Sequence, residues 1–145
     1  MVVMPPSVAI VTFYAGLNAV IAFVLAALVI RQRQKTRTVF GTGGHLPLEQ
    51  AIRAHGNFVE YVPLILLLML LLELGGLGAL WLHLMGVALT LGRLLHAWGL
   101  STTHRGSFGR SAGIALTWLA MLAAIVLCIV RGAVALAGAQ GGIIG

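Results

Sequence analysis

EQAIRAHGNFVEYVP, residues 49–63, sets two carboxylates, an arginine and an asparagine at the entrance of a run that is otherwise apolar from Val62 to Leu72. At about 100° per residue, Glu49, Arg53, Asn57 and Glu60 fall within an arc of about 80°, so the stretch predicts a helix with one polar stripe. Gly56 lies on the same side, where the lack of a side chain admits a second backbone or a ligand, and His55 points away. The run from Tyr61 to Leu72 adds about 18 Å of helix at ~1.5 Å per residue, which puts Glu60 within the depth of the lipid. A charge at the bilayer centre costs about 2.5–3.5 kcal/mol on insertion scales, so such a stripe has to face protein or a wet cavity.

The rest of the chain agrees with a membrane span. Of 145 residues, 60% are hydrophobic and 8% charged, and the mean hydropathy is +1.05, whereas a soluble domain carries about 25% charged residues. At about 20 residues per span, the length predicts an all-α membrane bundle of four helices, a single domain over residues 1–145. The first span covers about residues 8–30, with Asn18 as its one strongly polar side chain, and no basic segment precedes it, so it reads as a retained helix rather than a signal peptide. It ends at RQRQKTR, where Arg31, Arg33, Lys35 and Arg37 place the loop 31–46 in the cytoplasm and the N-terminus outside. That cluster reads as a topology determinant in contact with lipid headgroups, or as the source of one arginine for a ligand site. The second span covers about residues 47–74: Pro47 suits a first helical turn, Glu49 the positive end of the dipole, and Pro63 is expected to kink the helix.

Glu73 to Leu77 read as a tight outer turn, and the third span, about residues 78–100, carries His83, Arg93 and His96, the last two on one face. The basic connection STTHRGSFGR, residues 101–110, is again assigned to the cytoplasm. The fourth span covers about residues 111–130 or runs somewhat beyond. Arg110, Gly113, Thr117, Met121, Ala124 and Cys128 share one of its faces, where small residues suit close helix packing. Arg131 and the tail to Gly145 read as a frayed end outside the membrane.

Glu49, Arg53, Asn57, Glu60, Arg93, His96 and Arg110 therefore gather from three helices toward one side of the bilayer. Two readings stay open. Buried ion pairs, Glu60 with Arg93 for instance, would pin the helices in register; alternatively, the groups line a pocket for a small zwitterionic or anionic ligand, and glutathione has the required ammonium and carboxylates. The single cysteine, Cys128, offers neither a disulfide partner nor a metal-type Cys/His spacing. The net charge of +6 is spread over loops that flank spans, which argues against nucleic acid as a partner.

Residues 53–63, RAHGNFVEYVP, resemble the R-A-x-x-N-x-x-E-Y-x-P signature of the MAPEG family, the membrane-associated proteins of eicosanoid and glutathione metabolism. Gly92-Arg93-Leu94-Leu95-His96 and the four-span layout extend the resemblance over about residues 37–118. TVFGTGG at 38–44, AIRAHGNFVEYVP at 51–63 and GRLLHAWG at 92–99 are similar to the small bacterial inner-membrane branch. The resemblance implies a homotrimer with glutathione, as co-substrate, bound between subunits near the cytoplasmic face. It assigns Arg53 to a glutathione carboxylate, Asn57 to the tripeptide backbone, and Glu60 to the γ-glutamyl ammonium or to an arginine. It also assigns His55, Tyr61, Arg93 and His96 to ligand contact. Arg110, with Arg105 as runner-up, would stabilise the thiolate, whose parent thiol has a pKa near 8.5. Leu100 stands where several eukaryotic members carry a tyrosine, and Gly56 where they carry a bulky residue, so glutathione rather than eicosanoid chemistry is what carries over. The implied activity is glutathione transfer to, or peroxide reduction of, a lipophilic molecule; the alternative is a non-catalytic scaffold binding glutathione or lipid. A drug–proton exchanger would fit the length but needs an acid in the first span, which has none.

Overall fold

Chains with no water around them must satisfy every backbone polar group within the segment, and long apolar sequences answer with helices. The computed structural model describes residues 8–102 and 107–141, and among them no strand occurs. Its elements are α1 (Ala9–Thr36), α2 (Leu46–Leu74), α3 (Ala79–Thr102) and α4 (Phe108–Gly141). All four are long and apolar enough to cross a membrane. Val11 and Leu25 of α1, Ile65 and Met69 of α2, Leu82 and Leu89 of α3, and Ala120 and Ala124 of α4 are buried between the helices, while Phe23, Leu67, Trp81 and Ile129 point outward.

Helix α1 outruns its expected end at Ile30 and reaches Thr36, so Arg31, Arg33 and Lys35 are helical rather than part of a loop. Cations in a last turn are favoured by the helix dipole. Arg37 then turns the chain in the left-handed conformation, with φ 52°. The Arg33 guanidinium fixes the exit by donating from Nη1 to the carbonyls of Thr38, Val39 and Gly41 at 3.3, 2.9 and 3.2 Å. Helix α2 starts as expected, with Pro47 and Glu49 in its first turn, and continues as one helix through Pro63 to Leu74.

Glu73 does not belong to an outer turn. It sits in the last turn of α2, buried, and its two carboxylate oxygens accept from the backbone N–H groups of Ile10 and Val11 at 2.9 and 2.8 Å. Val8, at the N-cap of α1, makes no side-chain capping bond; the carboxylate of a different helix satisfies those orphan donors and meets the positive end of the α1 dipole. Further along, Tyr14 Oη pairs with His83 Nδ1 at 3.0 Å, and Asn18 Nδ2 donates to Thr90 Oγ1 at 3.0 Å, which ties α1 to α3. His83 thus acts as a hydrogen-bonded tie.

Helices α3 and α4 touch backbone to backbone. A Cβ placed on Gly113 would lie 2.6 Å from both the Gly92 carbonyl oxygen and the His96 nitrogen, so the small face expected on α4 is indeed the contact face. The expected end of α4 near Val130 is corrected: the helix has 34 residues and runs to Gly141, about 51 Å at ~1.5 Å per residue against a hydrocarbon core of about 30 Å. Alanine-rich sequence with no proline gives the helix no reason to stop at Arg131. That arginine stays helical, and its Nη2 donates to the Gly75 carbonyl in the α2–α3 turn.

Candidate functional site

The polar stripe of α2 opens into a cleft of about 400 Å³. Ile52, Arg53, Gly56, Asn57 and Glu60 form its α2 wall, His96 comes from α3, and Arg110 and Ile114 come from α4. The i, i+4, i+7 spacing of Arg53, Asn57 and Glu60 puts them on one side of the helix. Arg110 reaches the cleft from the first turn of α4, a turn capped by Ser107, whose Oγ accepts the Arg110 N–H at 3.3 Å and donates to the Gly99 carbonyl at 3.3 Å. The guanidinium and the positive end of the α4 dipole both favour an anion there. His96 is buried, and its Nδ1 donates to the Arg110 carbonyl at 3.4 Å.

Arg93 lies behind this lining and is 2% exposed. Its guanidinium donates from Nη1 to Asn57 Oδ1 at 2.8 Å, and from Nε and Nη2 to Thr117 Oγ1 at 2.9 and 2.5 Å. It also stands 5.8 Å from the centre of the Tyr61 ring. Thr117 itself is fully buried and donates to the Gly113 carbonyl at 2.8 Å. One planar fork therefore holds α2, α3 and α4 together through neutral oxygens, a geometry that suits arginine and not lysine.

The expected ion pair of Glu60 with Arg93 does not form. Among the described residues the ion pair present is Arg53 with Glu49, at 2.9 Å, with side chains 71% and 40% exposed, a type worth about 0–1 kcal/mol. Glu60 stays exposed on the cleft wall. Glu49 does not line the cleft. Of the other sequence-derived positions, His55 is half-buried away from the lining, Tyr61 lines a separate apolar groove with Trp118 and Met121, and Arg105 falls outside the described residues. Thr117 and Gly113 were not singled out for the site; their signal was a small face on α4 at the depth of Arg93.

Arg53, Arg110 and, behind them, Arg93 outnumber the acids that face them, Glu60 on the wall and Glu49 paired with Arg53, so the cleft suits a ligand of net negative charge that also carries an ammonium. The family model that matches this chain, over residues 11–130, is that of the MAPEG family. The chain belongs to the MAPEG family. Two similar relatives are the proteins named inner membrane protein YecN in Escherichia coli strain K12 and in Escherichia coli O6:H1, each 39% identical over 109 residues that cover 75% of this chain and 82% of theirs. No solved structure matches the chain. In this MAPEG protein the stretch that carries the family signature, Arg53 to Pro63, is the one whose stripe forms the cleft wall.

Proposed function

We propose that this MAPEG protein is an inner-membrane, glutathione-dependent transferase or peroxidase acting on lipophilic electrophiles. What supports the reading is one observation: polar side chains of three helices converge on a single cleft in which cations outnumber acids. Arg53 takes a glutathione carboxylate, Asn57 the peptide backbone, and Glu60 the γ-glutamyl ammonium, with Arg93 locking the Asn57 amide in place and His96 closing the floor. Arg110, or Arg105 in its stead, holds the sulfur as thiolate. In conjugation the thiolate attacks the electrophilic carbon, the C–S bond forms, and the leaving group departs with its bonding pair; the thiol proton goes to water. The active assembly is a homotrimer in which a neighbouring subunit covers the cleft and brings His55 and Tyr61 to the ligand. Residues 31–46 and 101–110, the facing helix ends with their connections, lie inside and both termini outside, as their arginines and lysines favour. The name of the Escherichia coli relatives supports the inner membrane as the location.

The test is stopped-flow absorbance of thiolate formation, followed by conjugation of a chloronitrobenzene, on the detergent-purified protein. Thiolate is expected on mixing, and Arg110→Ala is expected to lower conjugation at least about tenfold, ~1.4 kcal/mol of transition-state stabilisation. Arg53→Ala should raise the glutathione Kd while leaving the fold intact, since its pair with Glu49 is exposed. Calorimetric binding of glutathione without thiolate or turnover would favour the scaffold reading, and no binding would overturn the transferase and leave only a scaffold that binds lipid.

A further inference from the structure

A second cavity, of about 190 Å³, lies between α1 and α2 and is separate from the cleft. Leu25, Leu28 and Gln32 line it from α1, and Pro47, Gln50, Ala51 and Ala54 line it from α2, so a second amide stands opposite Gln32. Along α1 the residues 25, 28 and 32 are spaced three and four apart, and Lys35, exposed, follows three further on. They fall within an arc of about 80°, so one stripe runs from two leucines through an amide to an ammonium, in order toward the end of the helix. Arg33 is turned aside to the loop carbonyls, which leaves Lys35 as the cation on this stripe. Across the cavity, Pro47 marks the N-terminus of α2, which no side chain caps, and that end of a helix carries positive partial charge. No acid occurs between Arg31 and Leu48, and Glu49 is held by Arg53.

We infer that this cavity is a site for an anionic phospholipid, with an acyl chain against Leu25, Leu28 and Ala54 and the phosphate at the level of Gln32 and Lys35. The order of the stripe matches the order of groups in a lipid: hydrocarbon, ester, phosphate. Chain burial alone gives no preference, because the surrounding bilayer is equally apolar; selectivity comes from the cation and the helix terminus, on the order of fivefold for one lysine. The site does not depend on glutathione chemistry.

Native mass spectrometry of the full chain in detergent tests it, with phosphatidylglycerol, phosphatidylcholine and glycerol phosphate as probes. Phosphatidylglycerol is expected to bind about fivefold more tightly than phosphatidylcholine, and glycerol phosphate, which has no chains, not to bind. Lys35→Gln should remove most of the preference, and Ala51→Leu, which fills the cavity, should abolish retention at unchanged melting temperature. Should Ala51→Leu fail to fold, Lys35→Gln and Gln32→Leu decide. Equal binding of the two lipids, binding of glycerol phosphate as strong as that of the lipid, or a change of oligomer mass in Ala51→Leu would overturn the assignment.

Discussion

Thr117→Val is expected to destabilise the bundle by about 3 kcal/mol, and Thr117→Ser to restore most of that loss. Valine keeps the shape of threonine but offers no acceptor to Arg93 Nε and Nη2, which both point at the Thr117 hydroxyl oxygen. Hydrogen bonds to charged groups contribute about 1.5–3 kcal/mol, and leaving a buried donor unsatisfied costs its desolvation as well. Thermal melting read through the reactivity of Cys128 suits the measurement, because it is the single cysteine and its thiol packs toward the Leu68 carbonyl at 3.6 Å. A valine variant that melts with the parent would mean that Arg93 draws nothing from Thr117.

Gly113→Ala is expected to cost about 3 kcal/mol, at the upper end of overpacking penalties, whereas the same change at Gly132 or Gly138 should be neutral or stabilise by about 0.5–1 kcal/mol. The contrast comes from surroundings alone, as all three glycines lie in α4. A methyl on Gly113 meets backbone atoms of Gly92 and His96 at 2.6 Å, and backbone cannot swing aside as a flexible side chain can; around Gly132 and Gly138 there is nothing within 4 Å. Opening α3 from α4 would also shift His96 and Arg110, so Gly113→Ala should weaken glutathione binding. Melting curves of the three variants side by side provide the check. Equal stabilities would show that α3 and α4 do not meet at this pair.

What could be read from the amino acids was whatever depends on spacing within one helix. Arg53, Asn57 and Glu60 occupy one face by arithmetic, and they line the cleft; the small face of α4 followed from Gly113, Thr117 and Ala124 in the same way. What could not be read depends on pairing between helices. Arg93 looked like a partner for Glu60 because opposite charges at similar depth attract, yet the rigid fork found Asn57 and a threonine on α4 instead. Glu73 stood beside two glycines and looked like a turn residue, and nothing local shows that the N–H groups it serves belong to Ile10 and Val11. The length of α4 was misjudged at Arg131, where a charge in an apolar run suggested the membrane boundary but does nothing to end a helix.

A density map of the protein purified with glutathione is the most direct test of the cleft as its binding site. The tripeptide is expected between the α2 wall of Arg53, Asn57 and Glu60 and the start of α4, at a boundary between subunits of a trimer, with its sulfur in charge-assisted contact with the Arg110 guanidinium. Glutathione bound elsewhere, or a cleft filled by side chains of a neighbouring subunit with no space left for a ligand, would contradict it.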